Sequence, residues 1–229
     1  MKDESTLEDK IILIDKPAGI SSFGVVAKVR GTLKAKFGHK VKVVHTGTLD
    51  PFATGLLILL SGKTTKKSGE FLKLDKIYEA TLKLGYTSST GDPEGDIQQN
   101  PTQTPPSLDE IKSAIDSFVG KIKQTPPRYS AIKINGERAY KLARKGKNFE
   151  IPSREIEIYK IDILQYEWPK LKIRCFVSSG TYIRTLAEDI GEKLRVGAYL
   201  TELRRTQVGR YSVNDALNLD SLMKTQSKF

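Results

Sequence analysis

The run Leu56–Leu60, LLILL, constrains the fold more than any other feature of this 229-residue chain. It places five consecutive apolar residues in a sequence that is 28% charged. A membrane-spanning helix needs about 20 apolar residues, so this run is far too short to cross a bilayer. Its length suits a buried strand, and a buried strand needs a sheet around it. The chain supplies one. Ile11–Ile14 reads as a short strand stopped by Lys16-Pro17 and Gly19. Lys76–Tyr86 alternates, with Tyr78, Ala80, Leu82, Leu84 and Tyr86 on one face. Glu155–Gln165, Leu171–Val177 and a stretch near Gln207–Ser212 read as further strands, and Asn135-Gly136 after Ile132–Ile134 marks a hairpin turn.

Helical patterns are interspersed among these strands. Ser21 or Ser22 can cap a helix with Val26, Val29, Leu33 and Phe37 inward, ended by Gly38. Ser107-x-x-Glu110 has capping-box spacing, with Ile111, Ile115 and Phe118 behind it and Gly120 as its end. Thr181 can cap a helix that turns Leu186, Ile190 and Leu194 to the core. Shorter helices are expected over Ala139–Lys145 and Val213–Met223, and a long loop over Thr87–Pro106. The mixture lacks βα alternation. It predicts an α+β fold with a central mixed, largely antiparallel sheet flanked by helices.

The formal charge of +11 points to an anionic partner. Lys28, Arg30, Lys34, Lys36, Lys40 and Lys42 fall between Phe23 and His45 without an acidic residue. A second block, Lys121–Lys147, holds Lys123, Arg128, Lys133, Arg138, Lys141, Arg144 and Lys145 against Glu137, with Tyr129 and Tyr140 among them. Basic residues interleaved with aromatics fit nucleic acid, phosphates by charge and bases by stacking. A plain solvated surface fits the same charges. Cys175 is the sole cysteine, so no internal disulfide or cysteine metal cluster can form, and two histidines, His39 and His45, make a poor zinc set. Residues 1–9 form a polar tail without an apolar signal core, which is compatible with the cytoplasm.

Chemistry then rests on Asp50. It follows a Thr- and Gly-rich turn, HTGTLDP, directly before the buried run. A carboxylate on a constrained turn is preorganised for attack or proton transfer. An Asx turn before Pro51 is the plain alternative. Five colinear segments bear on the choice: KPAGISSF (Lys16–Phe23), HTGTLDPFATGLL (His45–Leu57), LDKIYEATLKLG (Leu74–Gly85), QTPPRYSAIKINGERAYKLARKG (Gln124–Gly146) and GTYIRTLAEDIGEKL (Gly180–Leu194). Together, over about residues 10–212, they resemble the TruB family, the tRNA pseudouridine-55 synthases.

The resemblance implies a pseudouridine synthase domain over residues 10–229 with a catalytic cleft and a basic RNA-binding insertion near 121–152. It implies a reaction in which a T-loop uracil is detached from its ribose, rotated and rejoined through carbon 5. Asp50 matches the essential aspartate, as nucleophile or as base toward a ribose proton. Tyr78 matches the tyrosine packed on the target base, and Arg184 the arginine that pairs with the aspartate and keeps it ionised. Leu203 matches an apolar wall of the base pocket. His45 matches the residue that fills the space left by the flipped base. Lys16 matches a lysine that supports the fold or the RNA backbone, Lys66 a basic RNA contact, and Thr48 and Tyr182 lie within the substrate-binding motifs. The implied site uses no cofactor or metal. The implied partner is the T stem-loop of tRNA, with a monomeric protein, no obligate protein partner and no membrane.

Each residue also has a plain reading: core packing for Tyr78 and Leu203, a polar loop residue for His45, a strand-end charge for Lys16. Arg184 is different, because a cation in a helix's first turn opposes the macrodipole unless an anion sits beside it. Two features depart from the family pattern. Val44 stands where the family has glycine, and no span after residue 212 would accommodate an RNA-binding PUA domain. Two other functions fit parts of the sequence: a tRNA-binding or folding module without chemistry, and a guide-RNA-dependent synthase related to the box H/ACA enzymes.

Overall fold

The computed structural model describes residues 8–101, 104–219 and 221. Along the chain it forms β1 (Ile11–Lys16), α1 (Ser22–Phe37), β2 (Val43–His45), β3 (Thr54–Ser61), a 3-10 turn (Gly62–Lys67), α2 (Ser68–Leu72), β4 (Lys76–Leu84), β5 (Tyr86–Ser88) and β6 (Ile97–Gln99). It continues through α3 (Leu108–Asp116), β7 (Gly120–Gln124), β8 (Lys133–Ile134), β9 (Glu137–Arg138), α4 (Ala139–Arg144), β10 (Arg154–Glu167) and β11 (Lys170–Val177). Then come α5 (Ile183–Lys193), β12 (Ala198–Val208), β13 (Tyr211–Ser212), a 3-10 turn (Val213–Asp215) and β14 (Leu217–Asn218). The elements fall into two compact units, Met1–Ile77 with Arg204–Phe229, and Tyr78–Leu203. The division runs through β4 and β12.

In the first unit β3 is the organising strand. β1 pairs with it antiparallel along its length, from Ile11 opposite Leu60 to Lys16 opposite Gly55. Its other edge is shared: β2 runs antiparallel at Leu59–Ser61, and β12 runs parallel at Thr54 and Gly55. With both edges paired and both faces covered, Leu56–Leu60 retain at most 1% exposure. That is why the run is continuously apolar rather than alternating. Leu56, Ile58 and Leu60 pack with Phe71 and Val208, and Val44 packs against that cluster. Helix α1 buries Val25, Val26 and Val29. The Ser21 side chain accepts from the Gly24 N–H, and Gly38, at φ 76°, ends the helix in the left-handed conformation.

In the second unit the strand order is β12-β4-β11-β10-β7. β10 pairs antiparallel with both β11 and β7. Along β4, Lys76, Tyr78, Ala80, Leu82 and Leu84 are buried and the residues between them are not. This is the period of a strand with one covered face. Helix α3 begins with the expected capping box between Ser107 and Glu110, and α3 lies against β10 and α5.

Five stretches differ from expectation. Gly85, at φ 78°, stops β4, so Tyr86 opens a new strand. The expected loop over 87–106 contains the β5–β6 hairpin, with Tyr86 opposite Gln99. Helix α3 ends at Asp116, and Gly120 starts β7 rather than terminating a helix. β12 begins at Ala198, well before the expected Gln207. Over Val213–Met223 the expected helix is preceded by a 3-10 turn and β14, parallel to β1, and only Leu219 and Ser221 are helical among the described residues; residues 220, 222 and 223 lie outside them. Among the described residues no helix is long and apolar enough to cross a membrane.

Candidate active site

In the first unit the loop from His45 to Ala53 is held from several directions by side chains that bond its backbone. Thr46 enters it with its N–H donating to the Ile58 carbonyl, 3.0 Å, and its hydroxyl donating to the same oxygen. The buried guanidinium of Arg205 donates to the Gly47 carbonyl, 3.1 Å, and to the Leu56 carbonyl, 2.8 Å. Ser22 Oγ accepts from the Leu49 N–H, 2.8 Å, and donates to the Leu49 carbonyl, 2.9 Å. Ala53 N–H donates to the Asp50 carbonyl, 3.1 Å, closing the turn through Pro51. The Lys16 ammonium, with no exposed surface, donates to the carbonyls of Pro17, Ile20 and Pro51.

Local sequence explains this arrangement. A buried ammonium is costly unless carbonyl oxygens replace its water. Pro17 and the turn before Ser22 supply them. Gly55 allows the close approach of β12, because a Cβ there would lie 2.3 Å from the Arg205 carbonyl oxygen. Asp50 is half-buried, Leu49 buried and Thr48 exposed. Lys76 is a second buried cation near Arg205. Burial pulls it down to about 8, with Arg205 adding repulsion, and it donates to the carbonyls of Leu72 and Leu74.

The other expected residues of this unit sit as follows. His45 ends β2, opposite Leu59. Val44, the departure from the family pattern, directs its side chain to the apolar cluster, where it adds buried surface. Lys66 is exposed on the 3-10 turn between exposed Lys63 and Lys67. Lys16 is buried, so of its two expected roles the geometry fits support of the fold.

The second unit holds Tyr78, Tyr182, Arg184 and Leu203. Tyr78 on β4 and Leu203 on β12 are both buried. Tyr182 precedes α5, and its backbone is locked by the buried Gln124 side chain. Its N–H donates to Gln124 Oε1, 2.8 Å, and its carbonyl accepts from Gln124 Nε2, 3.1 Å. Arg154 lies over its ring, 5.0 Å from the centroid. Thr181 does not cap α5; its hydroxyl donates back to the Ser178 carbonyl.

Arg184 is 3% exposed. It donates to the Thr90 carbonyl, 2.9 Å, and the Tyr129 carbonyl, 2.7 Å, and pairs with Asp92 at 3.3 Å. The Asp92 carboxylate is the anion that a cation in the first turn of α5 calls for. Asp92 is itself fixed by the Thr90 hydroxyl, 2.6 Å, and the Glu94 N–H, 3.0 Å. Glu188, one turn along from Arg184, packs on Gly91, where a Cβ would meet its carboxylate at 2.7 Å. Burial pushes the Glu188 carboxyl up, against the opposing influence of Arg184. Sequence reasoning missed Asp92. Its signal was Asp-Pro after a Thr-Gly pair, TGDP, the same punctuation as the motif of Asp50, inside a segment read as loop.

The basic segment Thr125–Glu150 is mostly exposed around a few anchors, among them Pro126, Ser130, Ala139 and Leu142. Asn135 and Gly136, at φ 48° and 86°, form the expected turn between β8 and β9. Arg128 stacks over Phe149 and Arg144 over Tyr140. Burial pushes the Cys175 thiol up to about 12, which fits an inert strand residue. Among the described residues no group of three or more His, Cys, Asp or Glu could hold a metal ion.

These features define a pseudouridine synthase fold. A chain in the crystal structure of a Cbf5-Nop10-Gar1 complex matches with a TM-score of 0.73 at 30% identity, over 96% of this chain and 55% of that one. One in an H/ACA RNP bound to a substrate RNA containing 2'-deoxyuridine matches at 0.68 and 28%, over 93% and 52%. The chain spans about half the length of both. Residues 32–183 match the N-terminal domain of the TruB family of pseudouridylate synthases, and residues 184–228 the tRNA pseudouridylate synthase B C-terminal domain. The tRNA pseudouridine synthase B of Phocaeicola vulgatus is 44% identical over 215 residues, 93% of this chain and 92% of that one. That of Bordetella avium is 44% identical over 216 residues, 93% and 86%. The chain belongs to the TruB family of pseudouridylate synthases.

Proposed function

We propose that this chain isomerises a T-loop uridine of tRNA, at position 55, to pseudouridine, with Asp50 as the residue that carries the chemistry. The family's named activity supports the reaction class. The observation that carries the residue assignment is the loop of Asp50, whose backbone is gripped by Arg205, Ser22 and Lys16. A carboxylate delivered by a loop this constrained loses little freedom when a substrate arrives, which is what preorganised catalysis requires.

The atom balance is internal to the nucleotide. The bond from C1′ to N1 breaks, the uracil turns, a bond from C1′ to C5 forms, and the proton leaving C5 is replaced by one at N1. Asp50 acts either as nucleophile or as base toward a ribose proton. Tyr78 and Leu203 are assigned to the target base, Arg184 the role of supporting cation, and His45 the space the base vacates. Thr48, Lys66, Tyr182 and the basic segment 121–152 are assigned to RNA. In this reading residues 10–229 act as one catalytic domain, monomeric and cytoplasmic, without a cofactor or obligate protein partner. The test is Asp50→Asn on a T-arm RNA. The variant is expected to bind the RNA as the parent does, melt at the same temperature and form no pseudouridine. Robust turnover by the folded variant overturns the assignment.

A further inference from the structure

We infer that Ser22 is a positioning residue for the reaction, acting through Leu49 on Asp50; this rests on the assignment of Asp50 as catalytic. Two adjacent serines open α1 and do different work. Ser21 is exposed, and its hydroxyl accepts from the Gly24 N–H, 3.0 Å, as an N-cap. Ser22 is 2% exposed, and its hydroxyl bonds twice to Leu49, 27 residues away, accepting from the N–H and donating to the carbonyl. One hydroxyl therefore fixes both peptide groups of the residue immediately before Asp50. The carbonyl of Leu49 belongs to the peptide plane that carries the Asp50 nitrogen, so its direction fixes where the Asp50 Cα begins.

Leu49 is 3% exposed, so water does not readily replace the hydroxyl. Ser22→Ala leaves a buried donor and a buried acceptor unpaired, and the loop must rotate to satisfy them. A displacement of about 1 Å in a reacting group costs on the order of 10²-fold in rate. The two serines separate this effect from helix stability. Ser21→Ala removes a cap and no loop contact; Ser22→Ala removes the loop contact and no cap.

The experiment measures single-turnover rate, tRNA affinity, melting temperature and hydrogen exchange at the Leu49 amide for both variants, with Asp50→Asn in parallel. Ser22→Ala is expected to lower the single-turnover rate by about 10²-fold with affinity within about twofold, and to speed exchange at Leu49. Ser21→Ala is expected to lower the melting temperature while its rate, measured well below that temperature, stays within about twofold of the parent. Ser22→Thr, which keeps the hydroxyl, is expected to restore more rate than Ser22→Ala. A Ser22→Ala rate equal to that of Ser21→Ala, with Asp50→Asn inactive, overturns the role of Ser22. Turnover by Asp50→Asn overturns the underlying assignment instead.

Discussion

The Asp50 loop of the first unit and the basic segment Thr125–Glu150 of the second are both irregular stretches, and they are built on opposite principles. In the loop, buried polar side chains bond backbone: Arg205 holds Gly47, Ser22 holds Leu49 and Lys16 holds Pro51. In the segment, apart from the Tyr129 carbonyl held by buried Arg184, the contacts lie at exposed positions: Lys145 pairs with Glu137 at 2.6 Å and Arg128 reaches the Lys147 carbonyl at 2.9 Å. Exposed ion pairs contribute little, whereas a buried polar group that loses its partner costs much. The loop is thus built for one geometry. The segment is built to adapt, offering charge and aromatic faces to a partner whose phosphates supply the missing order. The contrast teaches that rate should be sensitive in the loop and affinity in the segment.

Arg205→Lys should break that contrast most sharply if it is wrong. Lysine keeps the charge but loses the planar fork that serves Gly47 and Leu56 together. The expected result is a kcat lower by about 10²-fold with KM for tRNA little changed. A smaller effect of the other kind is expected from reversing Arg128, Lys141 and Arg144 to glutamate. KM should rise by about tenfold or more, salt dependence should flatten, and kcat should stay within about twofold. A rate effect from the reversal, or a KM effect from Arg205→Lys, would merge the two regions into one function.

The smallest expected effect lies outside both regions. Burial pushes the Asp189 carboxyl on α5 up to about 6 from 3.8, with Glu192 adding repulsion. The folded state then holds this proton more tightly than the unfolded chain. Stability from this group is fully present at low pH and is lost as pH rises from about 4 to about 6. Asp189→Asn should therefore stabilise the fold at pH 7 by about 1 kcal/mol, allowing for solvent screening, and remove this group's fall in melting temperature between about pH 4 and pH 6, without changing kcat or KM.

The strands of the core were legible where burial writes a period into sequence. Leu56–Leu60 and the alternation from Lys76 to Leu84 both became strands in the expected places. Boundaries set by a single backbone angle were less visible: Gly85 looks like any glycine until its φ of 78° ends β4. β7 escaped because its exposed positions are Lys121 and Lys123, so it reads as part of a charge block. Among candidate site residues, motif membership singled out Asp50 and Lys16, but Ser22 and Arg205, which also grip the Asp50 loop, are distant in sequence and visible only through their side-chain hydrogen bonds to its backbone. Asp92 was hidden for the same reason, since its partner Arg184 is 92 residues away.

The proposed function requires that this chain, alone, converts a T-loop uridine. The direct measurement is to incubate the purified protein with unmodified tRNA transcript, without guide RNA or other proteins, and map pseudouridine along the product. Conversion at one T-loop uridine, position 55, is expected. Tight binding with no product, or product only after guide RNA and partner proteins are added, would contradict it.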